Sequence, residues 1–177
     1  MTNADLVPAT VALRPAAGAD LDAIGTIWHE GWRETHLGRV PAALLPHRER
    51  HHFRARIPVM LGSTTVATIG PVVVGFVMLH GDEVEQLYVA PSARGTGAAA
   101  GLLAHGEAVI GSHSDRAWLA VVDGNARARH FYERHGWSDT GRFDNPAWTT
   151  GGGTVAVPAR RYEKLLAGVT APVTRHR

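Results

Sequence analysis

Three short apolar runs set the frame within which this chain can fold. Residues 63–69, 72–79 and 83–89 are rich in Val, Thr and other strand formers. The breaks between them, 70-GP-71 and 80-HGD-82, are tight-turn sequences, so the three strands should be antiparallel neighbours. Directly afterwards, 89-VAPSARGTGAAAGLL-103 carries a Pro, an Arg and two glycines into an Ala/Leu helix. That helix is expected over about 97–110, with Leu102, Leu103, Gly106, Val109 and Ile110 toward the sheet. A meander feeding a glycine loop and a helix fits neither a doubly wound sheet nor a sandwich.

The flanking segments extend this into a mixed α/β sheet covered by helices. Residues 11–14 read as a strand. Leu21, Ile24, Ile27, Trp28 and Trp32 follow a helical period, with Asp20 as N-cap. Pro41 opens a second helix through Leu44, Leu45 and Phe53, and Pro58 is expected to end it. Downstream, the unbroken run 117-AWLAVV-122 predicts a central strand buried on both faces. A helix over about 125–135, a strand starting at Trp137, a loop 144-DNPAWTTGGG-153 and a last strand over 154–166 complete the order. One domain over 1–167 is expected, followed by a loose tail over 168–177.

Composition removes several classes of function. The chain of 177 residues has no Cys, which excludes a disulfide framework, a Cys-ligated metal and a thiol nucleophile. No run reaches the roughly 18 apolar residues of a membrane span. The first residues lack the basic and apolar regions of a signal peptide, so a cytoplasmic location is expected. The calculated pI is 9.5 but the net charge only +2, without a dense basic block, so an anionic ligand fits as well as RNA. His47 and His51 stand four apart, but no carboxylate ligand completes a site, and no metal is expected.

The glycine stretch has the form of an anion cradle: free N–H groups at a helix start, and glycines that let the backbone approach. It is not a Walker loop, because Ala98 and Ala99 follow the second glycine and no lysine is near. It satisfies G-x-G-x-x-A, yet five residues separate strand from glycine, against a dinucleotide-binding unit. It also satisfies Q/R-x-x-G-x-G/A through Arg94, Gly95, Thr96, Gly97, Ala98 and Ala99. A second segment, 125-NARARHFYERHGW-137, fits N-x-x-A-x-x-F-Y-E-x-x-G-F through Asn125, Ala128, Phe131, Tyr132, Glu133 and Gly136, with Trp137 in place of Phe. With both motifs in this order, residues 83–143 resemble the GNAT family of acetyl-CoA-dependent N-acetyltransferases.

The resemblance implies a central mixed, mostly antiparallel sheet of about seven strands flanked by about four helices. It implies acetyl-CoA as cosubstrate, with its pyrophosphate on the loop of Arg94, Gly95, Thr96, Gly97, Ala98 and Ala99. It also places the pantetheine arm along Leu87, Tyr88 and Val89, with Asn125 and Phe131 beside it and a backbone N–H near Val89 as oxyanion donor. Tyr132 is implied as general acid toward the sulfur, or else as a packed helix Tyr. For the base the residues leave Glu83, Glu85 or a water relay open, and both carboxylates are expected on one strand face with Leu87 and Val89. A solvated hairpin end would explain the same two acids. Asn125 equally suits a helix cap. Trp32, His36 and Trp148 are the candidate acceptor wall, able to stack a cationic amine, with core packing the alternative. The loop around Trp148 reads as a flap or as a plain hairpin connection. The implied reaction is acetyl transfer to a primary amine, of a small molecule or a peptide, by direct attack in a ternary complex. A toxin acetylating aminoacyl-tRNA and a non-catalytic acyl-CoA-binding module are the alternatives, and a homodimer is expected by analogy.

Overall fold

The computed structural model describes residues 10–167. The expected tail over 168–177 and the residues read for a signal peptide up to residue 9 lie outside them. Seven strands, β1 (Val11–Pro15), β2 (Thr64–Ile69), β3 (Val72–His80), β4 (Glu83–Val89), β5 (Arg116–Val122), β6 (Ser138–Trp148) and β7 (Thr154–Leu165), form one sheet. Its order is β1-β2-β3-β4-β5-β7-β6, and only the β4–β5 pair is parallel. The helices are α1 (Leu21–His36), α2 (Arg50–Met60), α3 (Ala98–Gly111) and α4 (Ala126–Arg134). The mixed, mostly antiparallel seven-stranded sheet is thus as the resemblance implies.

Each face of the sheet buries its own core. On one, Leu102, Leu103 and Ile110 of α3 pack on Val77, Leu79, Val84 and Leu119, with Phe131 and Tyr132 of α4 at the margin. On the other, Trp28 of α1 and Phe53 and Ile57 of α2 cover Val66, Phe76 and Met78. Trp28 is 1% exposed and meets the Phe53 and Phe76 rings at 5.2 and 5.9 Å. Gly31 of α1 rides directly over Tyr88, whose ring occupies the space a Cβ would need.

Several local expectations yield to tertiary context. Asp20 does not cap α1; its carboxylate takes Arg14 at 2.7 and 2.8 Å and the Ala17 N–H at 2.8 Å, tying β1 to the helix entry. The second helix is broken. Residues Ala42–His47 form a 3-10 turn containing Pro46, and α2 begins only at Arg50, so His47 and His51 do not share a helix face. Pro58 lies inside α2, where it forfeits one bond near a terminus that Met60 completes. Val109 is 40% exposed rather than turned to the sheet. In β5, Ala117, Leu119, Val121 and Val122 are buried, but Trp118 and Ala120 are only half-buried and border a cleft. Residues 144–148 continue β6 as an edge strand, and the connection shrinks to a turn closed by the Thr149 N–H donating to the Gly153 carbonyl at 2.8 Å.

The largest departure lies in β4. Met78 pairs with Gln86 and Leu79 with Val84, so Glu85 has no partner and forms a β-bulge. The extra residue inverts the alternation. Leu87 and Val89 join the α3-side core with Val84, while Tyr88 joins the α1-side core. Glu83 and Glu85 therefore do not share a face with Leu87 and Val89; Glu85 instead meets Arg56 of α2 at 3.2 Å.

Candidate active site

Strands β4 and β5 touch at one place and then part. Their single register pair is Glu83 with Trp118, reinforced by the Trp118 N–H donating to the Asp82 carbonyl at 3.0 Å. Beyond it, the edge of β4 through Leu87 and Val89 has no partner strand among the described residues, and backbone groups there are left for something else. A cavity of about 1140 Å³ fills the gap, walled by both strands, α4, the start of α3 and the α1–α2 pair. Every candidate residue read from the sequence lines it except Thr96. The Thr96 hydroxyl turns back and donates to the Ala93 carbonyl at 2.7 Å, which ties the loop rather than facing the cavity.

At the α3 end, Gly95 and Gly97 hold φ of +77° and +87°, and an added Cβ at either would meet only open space. Gly97 is the N-cap of α3. Among the described residues, the amides of Gly95, Gly97, Ala99 and Ala100 have no acceptor. Four free donors at a helix start, on a backbone stripped of side chains, fit a pyrophosphate. Arg94 is engaged elsewhere: it pairs with Glu34 of α1, which also takes Arg127 of α4 at 2.9 Å. Asn125 caps α4, its Oδ1 accepting from the Ala128 N–H at 3.2 Å, while its residue also borders the cavity.

Two ionisable groups face the middle of the cleft. Tyr132 sits between the rings of Phe131 and Trp137, and its hydroxyl has no hydrogen-bond partner among the described residues. Burial raises its pKa, with Tyr88 nearby adding to the shift, so it remains a neutral phenol. Burial likewise pushes the Glu83 carboxyl up to about 7; Glu85 and Asp82 raise it further, and Arg161 opposes them. Glu83 has no hydrogen-bond partner among the described residues, whereas Glu85 is held by Arg56. The two acids thus differ in kind: one is poised near neutrality, the other is spoken for.

The remaining end is aromatic and cationic. Trp32 is 6% exposed and stacks on His36 at 5.0 Å with planes 9° apart. Burial brings His36 down to about 4, so this ring is neutral at pH 7. Trp148 lies beneath two arginines, with the Arg48 and Arg56 guanidinium carbons 3.8 and 5.1 Å from its ring centre. Neither arginine is among the site residues expected from the sequence. Arg56 stands three residues after Phe53 and could have been placed on the buried face by that spacing. Arg48, in a broken segment, carried no such signal.

Comparison with known proteins bears on this geometry. The model of the Acetyltransferase (GNAT) family matches residues 23–137. Among solved structures, a GCN5-related N-acetyltransferase from Rhodopseudomonas palustris aligns with a TM-score of 0.69 at 24% identity, over 92% of this chain and 100% of that one. YncA from Salmonella typhimurium, solved with acetyl-CoA, aligns at 0.65 and 18% identity over 94% and 99% of the two chains. PaiA N-acetyltransferase from Thermoplasma acidophilum, solved with coenzyme A, aligns at 0.63 and 18% identity over 88% and 99%. A search of curated protein sequences gives no match.

Proposed function

The chain belongs to the acetyltransferase (GNAT) family, and from that premise we propose that it moves an acetyl group from acetyl-CoA to a primary amine by direct attack with both substrates bound. The observation that carries this reading is the gap between β4 and β5, which opens without interruption onto the amide-lined loop of Gly95 and Gly97. A pantetheine arm suits the open edge of β4 because its amides can add to the sheet as a short strand. The loop amides suit the pyrophosphate. Acetyl-CoA supplies the activated acyl carbon; the chain must hold it, unload a proton from the amine and ease the thiolate away.

Glu83 is the proposed base. Near pH 7 about half of it is ionised, and it accepts a proton from the acceptor amine, directly or through one water, as the C–N bond forms. A free backbone N–H at the edge of β4 near Val89 donates to the thioester oxygen as charge builds there. As the C–S bond breaks, the Tyr132 hydroxyl donates a hydrogen bond to the sulfur. Its raised pKa makes it a weak acid, so it stabilises the thiolate chiefly as a donor rather than by early proton transfer.

Calorimetry tests the coenzyme half of this proposal: acetyl-CoA should bind and NADH should not. Failure of well-folded protein to bind acetyl-CoA would overturn it. Tyr132→Phe tests the chemistry. It should lower kcat by about 10²-fold while leaving acetyl-CoA binding unchanged. An unaltered kcat would assign Tyr132 to packing.

A further inference from the structure

We infer that the acceptor is a small amine that also carries a carboxylate, an amino acid rather than a polyamine or a peptide N-terminus, and that Arg48 and Arg56 recognise the acid group. This rests on the acetyl-transfer reading above and specifies its second substrate.

The argument begins with charge. Arg48 is only 5% exposed, and its donors reach the backbone carbonyls of His47 at 3.0 Å and Trp148 at 2.9 Å but, among the described residues, no carboxylate. Burial, and Arg56 close by, lower its pKa to about 10, so it is still a cation at pH 7. Arg56 adds a second positive charge over the same indole, and its Nε is buried without a partner among the described residues. Against these two cations the acceptor end offers one committed anion, Glu85, which reaches Arg56 alone at 3.2 Å. Glu83 is only half-ionised near neutrality, His36 is neutral, and Glu34 is bound to Arg94 and Arg127 away from this end. Buried charge without a counter-charge is costly, and an anion between the arginines removes that cost.

Shape agrees with charge. Trp148 and Trp32 hold the Arg48 guanidinium from the side, at 3.8 and 5.6 Å, which fixes its plane and leaves donors for a carboxylate. The aromatic wall that the sequence offers for stacking a cationic amine is therefore already occupied by the protein's own cations. A second positive group on the acceptor would be repelled there. Because Arg56 touches Glu85 and Glu83 stands two residues earlier in β4, a carboxylate on the arginines leaves the amine of an amino acid close to the proposed base. A peptide N-terminus has a neutral amide where this site asks for an anion.

The test compares matched acceptors by thiol release from acetyl-CoA. Free amino acids, their primary amides and the corresponding decarboxylated amines are assayed together with spermidine. The acids should show KM values lower than their amides and amines by about 10- to 100-fold, the span of a charge-assisted hydrogen bond. Arg48→Gln and Arg56→Gln should each raise KM for the acids more than they lower kcat and should erase the preference over the amides. Arg48→Lys should retain part of it. A merely structural Arg48 would lower activity on all acceptors alike. Equal or better turnover of amides, decarboxylated amines or spermidine by the unmodified protein overturns the inference while the acetyl-transfer reading stands. So does acetyl-CoA binding with no amino acid acetylated. Absence of acetyl-CoA binding overturns the reading beneath it and the inference with it.

Discussion

If Glu83 is the base proposed above, Glu83→Gln is expected to lower kcat/KM for amine acetylation by about 10²- to 10⁴-fold, the contribution of a positioned general base. The pH profile separates this from simple damage. With Glu83 present, activity should rise through pH of about 7, where burial and the neighbouring Glu85 and Asp82 hold its carboxyl. In the variant that limb disappears, and only the rise from deprotonation of the acceptor amine remains. Stability moves the other way. A carboxyl raised in the folded state adds stability that is fully present below its unfolded pKa and is lost as pH rises through about 7. Glutamine has no charge to strand, so the variant should be no less stable than the parent at pH 8. Circular dichroism melts and acetyl-CoA calorimetry verify fold and coenzyme binding. An unchanged pH limb in an active variant would move the base to Glu85 or to water.

Trp28→Ala removes the largest fully buried side chain and costs about 3–5 kcal/mol of unfolding free energy. For a chain of this length that corresponds to a fall of about 6–20 °C in Tm. Trp28 joins α1 to both α2, through Phe53, and the sheet, through Phe76. Phe53 in turn touches Trp32 and Trp148 at 6.0 Å each, so loss of Trp28 loosens the seat of the acceptor end from behind. Urea titration gives the stability change, and a loss below about 1 kcal/mol would show that the helices close over the gap.

What could be read in the sequence was what local chemistry dictates. Gly95 and Gly97 announce a backbone that needs positive φ, and the period of Trp28 and Trp32 announces a helix on a core. Asn125 could be read as a cap because its partner is three residues away. Other features depend on partners outside the local segment. Asp20 looked like a cap but answers to Arg14 across the helix entry. Residues 144–148 looked like a loop because Asn and Pro are poor strand formers, yet β6 is an edge strand paired only to β7, where a missing N–H costs little. The arginines at the acceptor end become meaningful only once Trp148, about a hundred residues later, lies beneath them.

The unpaired Glu85 works as a frameshift in the alternation of β4. Upstream of it the strand turns Glu83 to the α1–α2 side; downstream it turns Leu87 and Val89 to α3 while Tyr88 stays with α1. One strand thereby serves two chambers that a regular strand could not serve together: a charged one and an apolar one. Pairing that residue into the ladder, as a regular strand of the same sequence would, exchanges inside for outside along half of β4. The acid nearest neutrality would then point into the apolar core beneath α3, and the strand would still be a strand, in the wrong frame.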